Sequence, residues 1–363
     1  MRGQSRDSAI AKDYGGVLVT YIEKKELTVL IVTYAKRWEY LKISLQHLLS
    51  YRQYIANVIL VQNGNDYNLQ NYLTAEHLDE LRLKLIVNQN NEGSAGGFGI
   101  GIETAQQVRG KYLLILDDDN FLPVDSFENL QALDHLKLSS IYGKKIAVSL
   151  YRPDHDQNPE KFTSTTYISS DSYSNTVCDF SILHKIKRKS YLKTRAVASI
   201  AESFSIPYSG LLIEKQLLNG VEPVQRNYYL YGDDTRYTLR LSQAGVRFLT
   251  FQNIYSRDLE RSWYQSDNQV VMSYKNSVDA MLHVEKFADL MRPFYQIRNA
   301  VNTSNTVLKT KPVLYFVNYY IYLIIPFFVY MPKNKMGIRN YKVFWKAMTD
   351  GQRGRLGKSN LFR

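Results

Sequence analysis

Short apolar runs alternate with helix-like segments through the first third of this chain. The apolar runs are Leu27–Tyr34, Val58–Gly64, Leu83–Val87 and Tyr112–Asp117, and leucines at helical spacing or a glycine-rich helix start lie between them. This alternation predicts a parallel sheet covered by helices on both faces, which places the chain in the α/β class. In such folds ligands bind at the carboxyl ends of the strands.

The most charged of these strand ends carries three successive carboxylates, Asp117, Asp118 and Asp119. Their mutual repulsion disfavours ionisation without a counter-charge. Carboxylate oxygens suit Mg²⁺ or Mn²⁺ bridging a diphosphate. On an extended backbone the first and third carboxylates would point the same way. A solvated turn or a helix cap is the alternative explanation.

Two further clusters lie at predicted helix starts. Glycines in Asn91–Phe98 permit close approach of the backbone to a phosphate or sugar, although a simple turn between strand and helix explains them as well. Asp233 and Asp234 fall in the first turn of another predicted helix. Helix capping accounts for such carboxylates. A general base for a sugar hydroxyl is the alternative role.

Positive charge is concentrated at the carboxyl end of the chain. Residues 309–363 hold eleven basic residues and one acid, in a chain of net charge +12. The same segment contains the most apolar run, Val313–Met331, interrupted by Asn318 and Pro326. This pattern favours attachment to an anionic membrane surface, with a membrane span, a buried core helix or a contact with a second subunit as alternatives. The basic tail carries no nucleic-acid-binding motif, so we expect no nucleic-acid partner.

Cysteine content and the amino-terminal segment bear on the compartment. The single Cys178 excludes a disulfide framework, and Met1–Gly16 lacks the apolar stretch of a signal peptide. We therefore expect a reducing, cytoplasmic location, peripheral on the cytoplasmic face of a membrane.

In their order along the chain, these motifs resemble family 2 of the glycosyltransferases, inverting enzymes that use nucleotide sugars on a GT-A fold. The resemblance covers about Leu27–Asn299, and within the family the Asn91–Phe98 loop is most similar to that of galactofuranosyltransferases. It implies an amino-terminal extension (1–26), a GT-A domain (27–300, with a donor half 27–125 and an acceptor and base half 126–300) and a membrane-associating region (301–363).

The resemblance also implies roles for individual residues. Asp234 would be the catalytic base, with Asp233 beside it binding hydroxyls, and Asp117 and Asp119 would bind Mn²⁺ or Mg²⁺. The residues implied in donor binding are Thr33, Tyr34, Arg37, Asn63, Asn91, Gly93, Gly96, Gly97, Phe98 and Asp118. The residues implied at the acceptor site are Tyr208, Ser209, Gly210 and Trp263. For Trp263, a place in the core is an equal alternative.

The implied activity is that of a metal-dependent hexosyltransferase in bacterial cell-surface glycan synthesis, of the O-antigen or capsule kind. The expected donor is UDP-galactofuranose and the expected acceptor is a lipid-linked glycan. A rhamnosyltransferase using dTDP-rhamnose, and an inactive sugar-binding protein or membrane adaptor, are the alternatives. Two features depart from the family pattern: Phe248–Arg261 lacks the histidine often used as a further metal ligand, and Thr235-Arg236 replaces the usual acidic residue.

Overall fold

The computed structural model describes twelve strands, ten α-helices and the segments between them, over residues 21–76, 78, 81–154, 165–167, 173–183, 193–195, 200–260, 277–329, 331 and 337–362. The strands are β1 (Leu27–Thr33), β2 (Ile55–Asn63), β3 (Leu83–Asn88), β4 (Tyr112–Asp117), β5 (Asn120–Phe121), β6 (Ile146–Tyr151), β7 (Thr165–Tyr167), β8 (Lys193–Arg195), β9 (Ile200–Ser203), β10 (Leu211–Glu214), β11 (Arg247–Tyr255) and β12 (Arg257–Asp258). The α-helices are α1 (Trp38–Leu49), α2 (Leu69–Ala75), α3 (Gly93–Gln107), α4 (Val124–Gln131), α5 (His135–Tyr142), α6 (Asp233–Gln243), α7 (Ser277–His283), α8 (Met291–Thr303), α9 (Pro312–Val329) and α10 (Gly337–Gln352).

Eight strands form one sheet in the order β3-β2-β1-β4-β10-β6-β11-β9. The pairs β1–β2, β2–β3, β1–β4 and β6–β11 are parallel, whereas β10 runs antiparallel to both β4 and β6, and β9 antiparallel to β11. Two small ribbons, β5–β12 and β7–β8, lie outside this sheet. The predicted fold class, a mostly parallel α/β sheet flanked by helices, is confirmed.

Strand β1 is buried on both of its faces. Leu27, Val29 and Ile31 pack into one hydrophobic cluster, and the alternate residues Leu30 and Val32 pack into another. A strand between two cores needs apolar side chains at most of its positions. This double burial is the reason that an apolar run, interrupted only by buried Thr28 before Thr33 ends it, marked the strand in the sequence.

The sheet reverses its winding direction between β1 and β4. From β1 the chain adds β2 and β3 on one side, and β4 then returns to the other side of β1, with Val32 paired to Asp117. Neighbouring carboxyl ends at such a reversal leave a crevice in which open α/β sheets bind ligands. The topology therefore brings the end of β1 next to the Asp triplet.

Two glycines let helix α3 approach β1 closely. A Cβ atom on Gly97 would lie 2.6 Å from Val32 Cγ1, and one on Gly101 would lie 2.4 Å from Leu30 Cδ1. Real atoms cannot come so near, so these two positions exclude larger residues. Part of the glycine-rich pattern thus serves packing of helix on sheet.

Helices α7 to α10 share a separate hydrophobic core. Side chains from all four helices contribute to it, among them Met281, Phe294, Tyr315 and Phe344. Helix α9 also leaves apolar side chains exposed along its length: Val313, Phe316, Val317, Tyr320, Ile324, Phe327, Phe328 and Val329. The predicted division into domains stays a prediction.

Candidate active site

The Asp triplet spans the end of a strand and the turn that follows it. Strand β4 ends at Asp117, and Asp118 and Asp119 form a turn before β5 begins. The extended backbone assumed for the triplet is therefore wrong, because the chain turns after the first carboxylate. The three side chains consequently meet different partners.

Arg37, just ahead of α1, binds the second and third carboxylates of the triplet. Its Nε lies 2.9 Å from Asp118 Oδ1, and its Nη2 lies 3.2 Å from Asp119 Oδ2. Thr33 Oγ1, at the end of β1, donates to Asp118 Oδ2 at 2.7 Å, and Arg37 Nη1 also pairs with Glu260. Arg37 thus supplies the counter-charge that the sequence required, and Asp118 is buried among these contacts.

A second arginine faces the first carboxylate. Arg152, directly after β6, has its Nη1 3.7 Å from Asp117 Oδ2 and its Nη2 2.5 Å from Asp258 Oδ1. Asn120 donates from its side-chain amide to the same Asp258 carboxylate. The β5–β12 ribbon positions Asp258, since Asp258 and Asn120 pair across it.

Negative charge exceeds positive charge at this edge of the sheet. Five carboxylates, of the triplet, Asp258 and Glu260, surround the two guanidinium groups. Burial, with the neighbouring carboxylates adding to it, raises the pKa of Asp118 to about 6 and that of Asp119 to about 7. An added cation would relieve this repulsion.

Asp117 and Asp119 fit a divalent ion that takes its other ligands from water or phosphate. Asp117 keeps 39% of its side chain exposed, so its carboxylate is partly accessible. Within the described residues, no group of three or more His, Cys, Asp or Glu side chains could hold a metal. Mg²⁺ is commonly held by only one or two carboxylates together with substrate phosphates, so two suffice.

An asparagine network shapes the Asn91–Phe98 loop. Asn63, at the end of β2, donates to Gly93 O at 2.7 Å and accepts from Asn88 Nδ2 and from the backbone N–H of Glu92. Asn91 Oδ1 accepts from the backbone N–H of Gly93 at 2.8 Å. Both residues therefore hold the loop through hydrogen bonds within the protein, and their contact with a donor stays a prediction.

Asp233 and Asp234 begin helix α6, as predicted from the sequence. Asp233 is buried and accepts from Ser94 Oγ at 3.0 Å, while within the described part of the chain its Oδ2 has no hydrogen-bond partner. Burial, followed by the charge of Asp234, holds the pKa of Asp233 well above its usual range. Asp234 accepts from the backbone N–H of Thr235 at 2.6 Å. Burial also raises the pKa of Asp234, and the charge of Asp117 adds to it.

The segment Tyr208–Gly210 lies under the triplet. The backbone N–H of Asp117 donates to Ser209 Oγ, which in turn donates to Asn120. Tyr208 is buried against the Phe98 ring, with ring centroids 4.8 Å apart. Tyr208 and Ser209 thus support the donor-side residues, and their contact with an acceptor stays a prediction. Trp263, the fourth predicted acceptor residue, lies outside the described residues.

Arg152, Asp258 and Glu260 were not among the site residues predicted from the sequence. Arg152 carried a usable signal, because it follows a buried strand directly, as the triplet does. Asp258 and Glu260 carried no such signal in the sequence. Both lie more than a hundred residues after the triplet, Asp258 in the two-residue ribbon β5–β12 and Glu260 in the loop that follows it.

Part of the chain matches a known protein family. Residues 28–180 match the family model described as Glycosyl transferase family 2. No curated protein sequence matches the chain. The region matched holds β1 to β6, the glycine-rich start of α3 and the whole Asp triplet.

Among solved structures, the chain is similar to GalNAc-T7 with UDP, GalNAc and Mn²⁺, at 15% identity and a TM-score of 0.46 over 66% of this chain. It spans 44% of that protein. It is also similar to TarS 1-349 of S. aureus in complex with UDP-GlcNAc, at 10% identity and a TM-score of 0.44, with 91% of this chain and 92% of that chain covered. The fold is a mostly parallel α/β sheet flanked by helices, and residues 28–180, less than half of the chain, are similar to Glycosyl transferase family 2.

Proposed function

We propose that this protein is an inverting glycosyltransferase that moves a sugar from a nucleotide diphosphate to an acceptor hydroxyl. The observation that carries the proposal is the meeting of the two acidic clusters. Asp117 is near enough to Asp234 to raise its pKa, and Ser94 at the start of α3 hydrogen-bonds Asp233. A donor-side cluster and a candidate base thus adjoin at one site.

Asp234 has the properties of a general base. A raised pKa makes a carboxylate a stronger proton acceptor at neutral pH. In the proposed reaction Asp234 takes the proton of the acceptor hydroxyl as that oxygen bonds to the anomeric carbon. The bond from this carbon to the diphosphate oxygen breaks in the same step, and the configuration inverts.

Asp233 suits a different role. Burial and the charge of Asp234 raise the pKa of Asp233 to about 8, which favours its protonated form at neutral pH. Its free Oδ2 can then donate a hydrogen bond to a sugar or acceptor oxygen. A divalent cation held by Asp117 and Asp119 would neutralise charge on the leaving diphosphate.

UDP-galactofuranose is the proposed donor, and dTDP-rhamnose is the second candidate. The resemblance of the Asn91–Phe98 loop to that of galactofuranosyltransferases supports the first choice. We further propose a lipid-linked glycan acceptor at the cytoplasmic face of the membrane.

The exposed face of α9 supports this location. By length and composition α9 could cross a membrane, with mean hydropathy 1.7, and only 28% of it is buried within the protein. Exposed Lys311 lies at its amino-terminal end. Apolar side chains beside basic residues favour a helix lying in the surface of an anionic membrane.

The first test is a thermal-shift panel of UDP and dTDP, each with and without Mn²⁺. Ligand binding to the native state raises the melting temperature by mass action. We expect metal-dependent stabilisation by UDP that is lost in Asp117→Ala, followed by transfer from UDP-galactofuranose. Preference for dTDP would shift the donor to dTDP-rhamnose. Stabilisation by neither nucleotide would contradict the transferase proposal.

A further inference from the structure

The segment Tyr228–Gly232, here called the base loop, leads directly into Asp233 and Asp234. Its backbone is unusual: φ is +67° at Tyr229, +63° at Tyr231 and +78° at Gly232. Positive φ is unfavourable for residues other than glycine, so two tyrosines in this conformation must be held there by their surroundings.

Asn299 on α8 holds the base loop through its side-chain amide. Its Nδ2 lies 3.0 Å from Tyr228 O, 2.8 Å from Leu230 O and 2.8 Å from Tyr231 O. Asn299 has no solvent exposure, so these bonds are not shared with water. One side chain therefore binds three of the loop's carbonyl groups.

Arg298 fixes the orientation of that amide. Its Nε donates to Asn299 Oδ1 at 2.9 Å, and its Nη2 donates to Tyr228 O at 2.8 Å. Arg298 is itself only 1% exposed, and its guanidinium lies over the Tyr295 ring. The pair therefore acts as one rigid donor set.

The opposite side of the base loop contacts the start of α3. The backbone N–H of Ala95 donates to Tyr229 O at 3.3 Å, and a Cβ atom on Gly93 would lie 1.9 Å from the same oxygen. Each carbonyl from Tyr228 to Tyr231 thus has a partner on α8 or α3. The loop is held between the glycine-rich helix start and the carboxyl-terminal helices.

We propose that Asn299 is a positioning residue for the reaction. By holding the base loop, it sets where α6 begins and so places Asp234 relative to the Asp triplet. This inference rests on the proposed role of Asp234 as the base. It gives the carboxyl-terminal helices a part in catalysis that is independent of any membrane contact.

The chain contains a matched control for Asn299. Asn340 on α10 is equally buried, and its Nδ2 donates to Met281 O at 3.1 Å, Leu282 O at 3.1 Å and Val284 O at 2.7 Å. Arg339 Nε donates to Asn340 Oδ1 at 2.9 Å, as Arg298 does to Asn299. The hydrogen-bonding arrangement is the same as that of Asn299, but the carbonyl groups belong to the end of α7 and the residues after it.

The test compares Asn299→Ala with Asn340→Ala in the full-length protein. Both variants lose a buried amide with three carbonyl partners, so we expect comparable falls in melting temperature. In Asn299→Ala alone, kcat should fall by at least about tenfold, since small displacements of a reacting group are costly. The donor KM should change less than about threefold, as expected for a loss confined to the transition state.

Hydrogen exchange gives a readout that does not need activity. Amides of residues 229–234 should exchange faster in Asn299→Ala but not in Asn340→Ala. Should Asn299→Ala fail to fold, Arg298→Lys against Arg339→Lys makes the same comparison. Equal loss of kcat in both members of a pair, or unchanged exchange in the base loop, would overturn the proposal. If the wild-type protein transfers no sugar, the proposed function is wrong. The hydrogen-exchange data would still decide whether Asn299 holds the base loop.

Discussion

The donor half and the carboxyl-terminal helices use apolar residues in opposite ways. In β1 every apolar side chain reaches one of two cores. In α9 one face packs on the neighbouring helices, while side chains such as Phe328, 70% exposed, remain uncovered. A strand between two layers of helices has no free face, whereas a helix at the edge of a bundle keeps one. Apolar runs of similar composition therefore form a core in β1 and an exposed surface in α9.

The two regions also divide the work at the candidate active site. The donor half supplies the acidic triplet and Arg37, Arg152 follows β6, and α8 holds the loop that presents Asp234. The acidic groups of the triplet thus lie in one region, and the position of the base Asp234 depends on the other region, the carboxyl-terminal helices.

The largest expected effect is at the base. Asp234→Asn should lower kcat by about 10²–10⁴-fold, because an amide cannot accept the acceptor proton. UDP should still raise the melting temperature, since the donor-side residues are intact. Steady-state kinetics with thermal shifts check both points, and Glu128→Gln, an exposed change on α4, is the control. Near wild-type turnover would remove Asp234 from the mechanism.

The second-largest expected effect is on membrane binding by the exposed face of α9. Replacing Tyr320 and Phe328 together by Glu should weaken binding to anionic vesicles at least about tenfold, since burying one such side chain contributes about 1.5–3 kcal/mol. Vesicle co-sedimentation measures this effect.

The control for the vesicle experiment comes from α5, outside the carboxyl-terminal helices. Leu136→Glu with Ile141→Glu alters exposed apolar residues of α5 and should leave vesicle binding unchanged. Equal loss in both double variants would mean that α9 is not the membrane contact, and the difference between the two regions would disappear.

Packing of α3 on β1 gives a smaller effect. Gly97→Ala places a methyl group against Val32 and should destabilise the protein by about 1–3 kcal/mol, measured by urea unfolding. Gln106→Ala, exposed on the same helix, should have little effect. Unchanged stability in Gly97→Ala would show that the donor half is less tightly packed than its glycines indicate.

The smallest effect is a dependence of stability on pH. Asp233 has a folded-state pKa above its unfolded value, so the folded state binds more protons and loses stability as pH rises past the unfolded pKa. Asp233→Asn removes this loss. The free energy of unfolding of the variant, measured by urea unfolding, should therefore rise relative to that of wild type between pH 5 and pH 8, by at least about 1 kcal/mol. A constant difference across that range would mean that Asp233 is not held protonated.

Much of the site could be predicted from the sequence, because its residues follow local patterns. The triplet follows an apolar strand, Asn63 ends another, and Asp233 starts a helix. Each of these features depends on a few neighbouring residues. The predicted strands of the donor half agree with those observed to within a few residues.

The sequence alone determined the α/β fold class and the residues that carry charge at the strand ends, since side-chain periodicity follows directly from burial of each strand and helix. Only the tertiary structure decided that Arg37 binds Asp118 and Asp119, that Arg152 faces Asp117, and that Asn299 holds the base loop. Arg37 and Asn299 are each about seventy to eighty residues away in sequence from the groups that they bind, and Arg152 is 35 residues from Asp117. Such contacts depend on strand order and on helix packing, which no local pattern encodes.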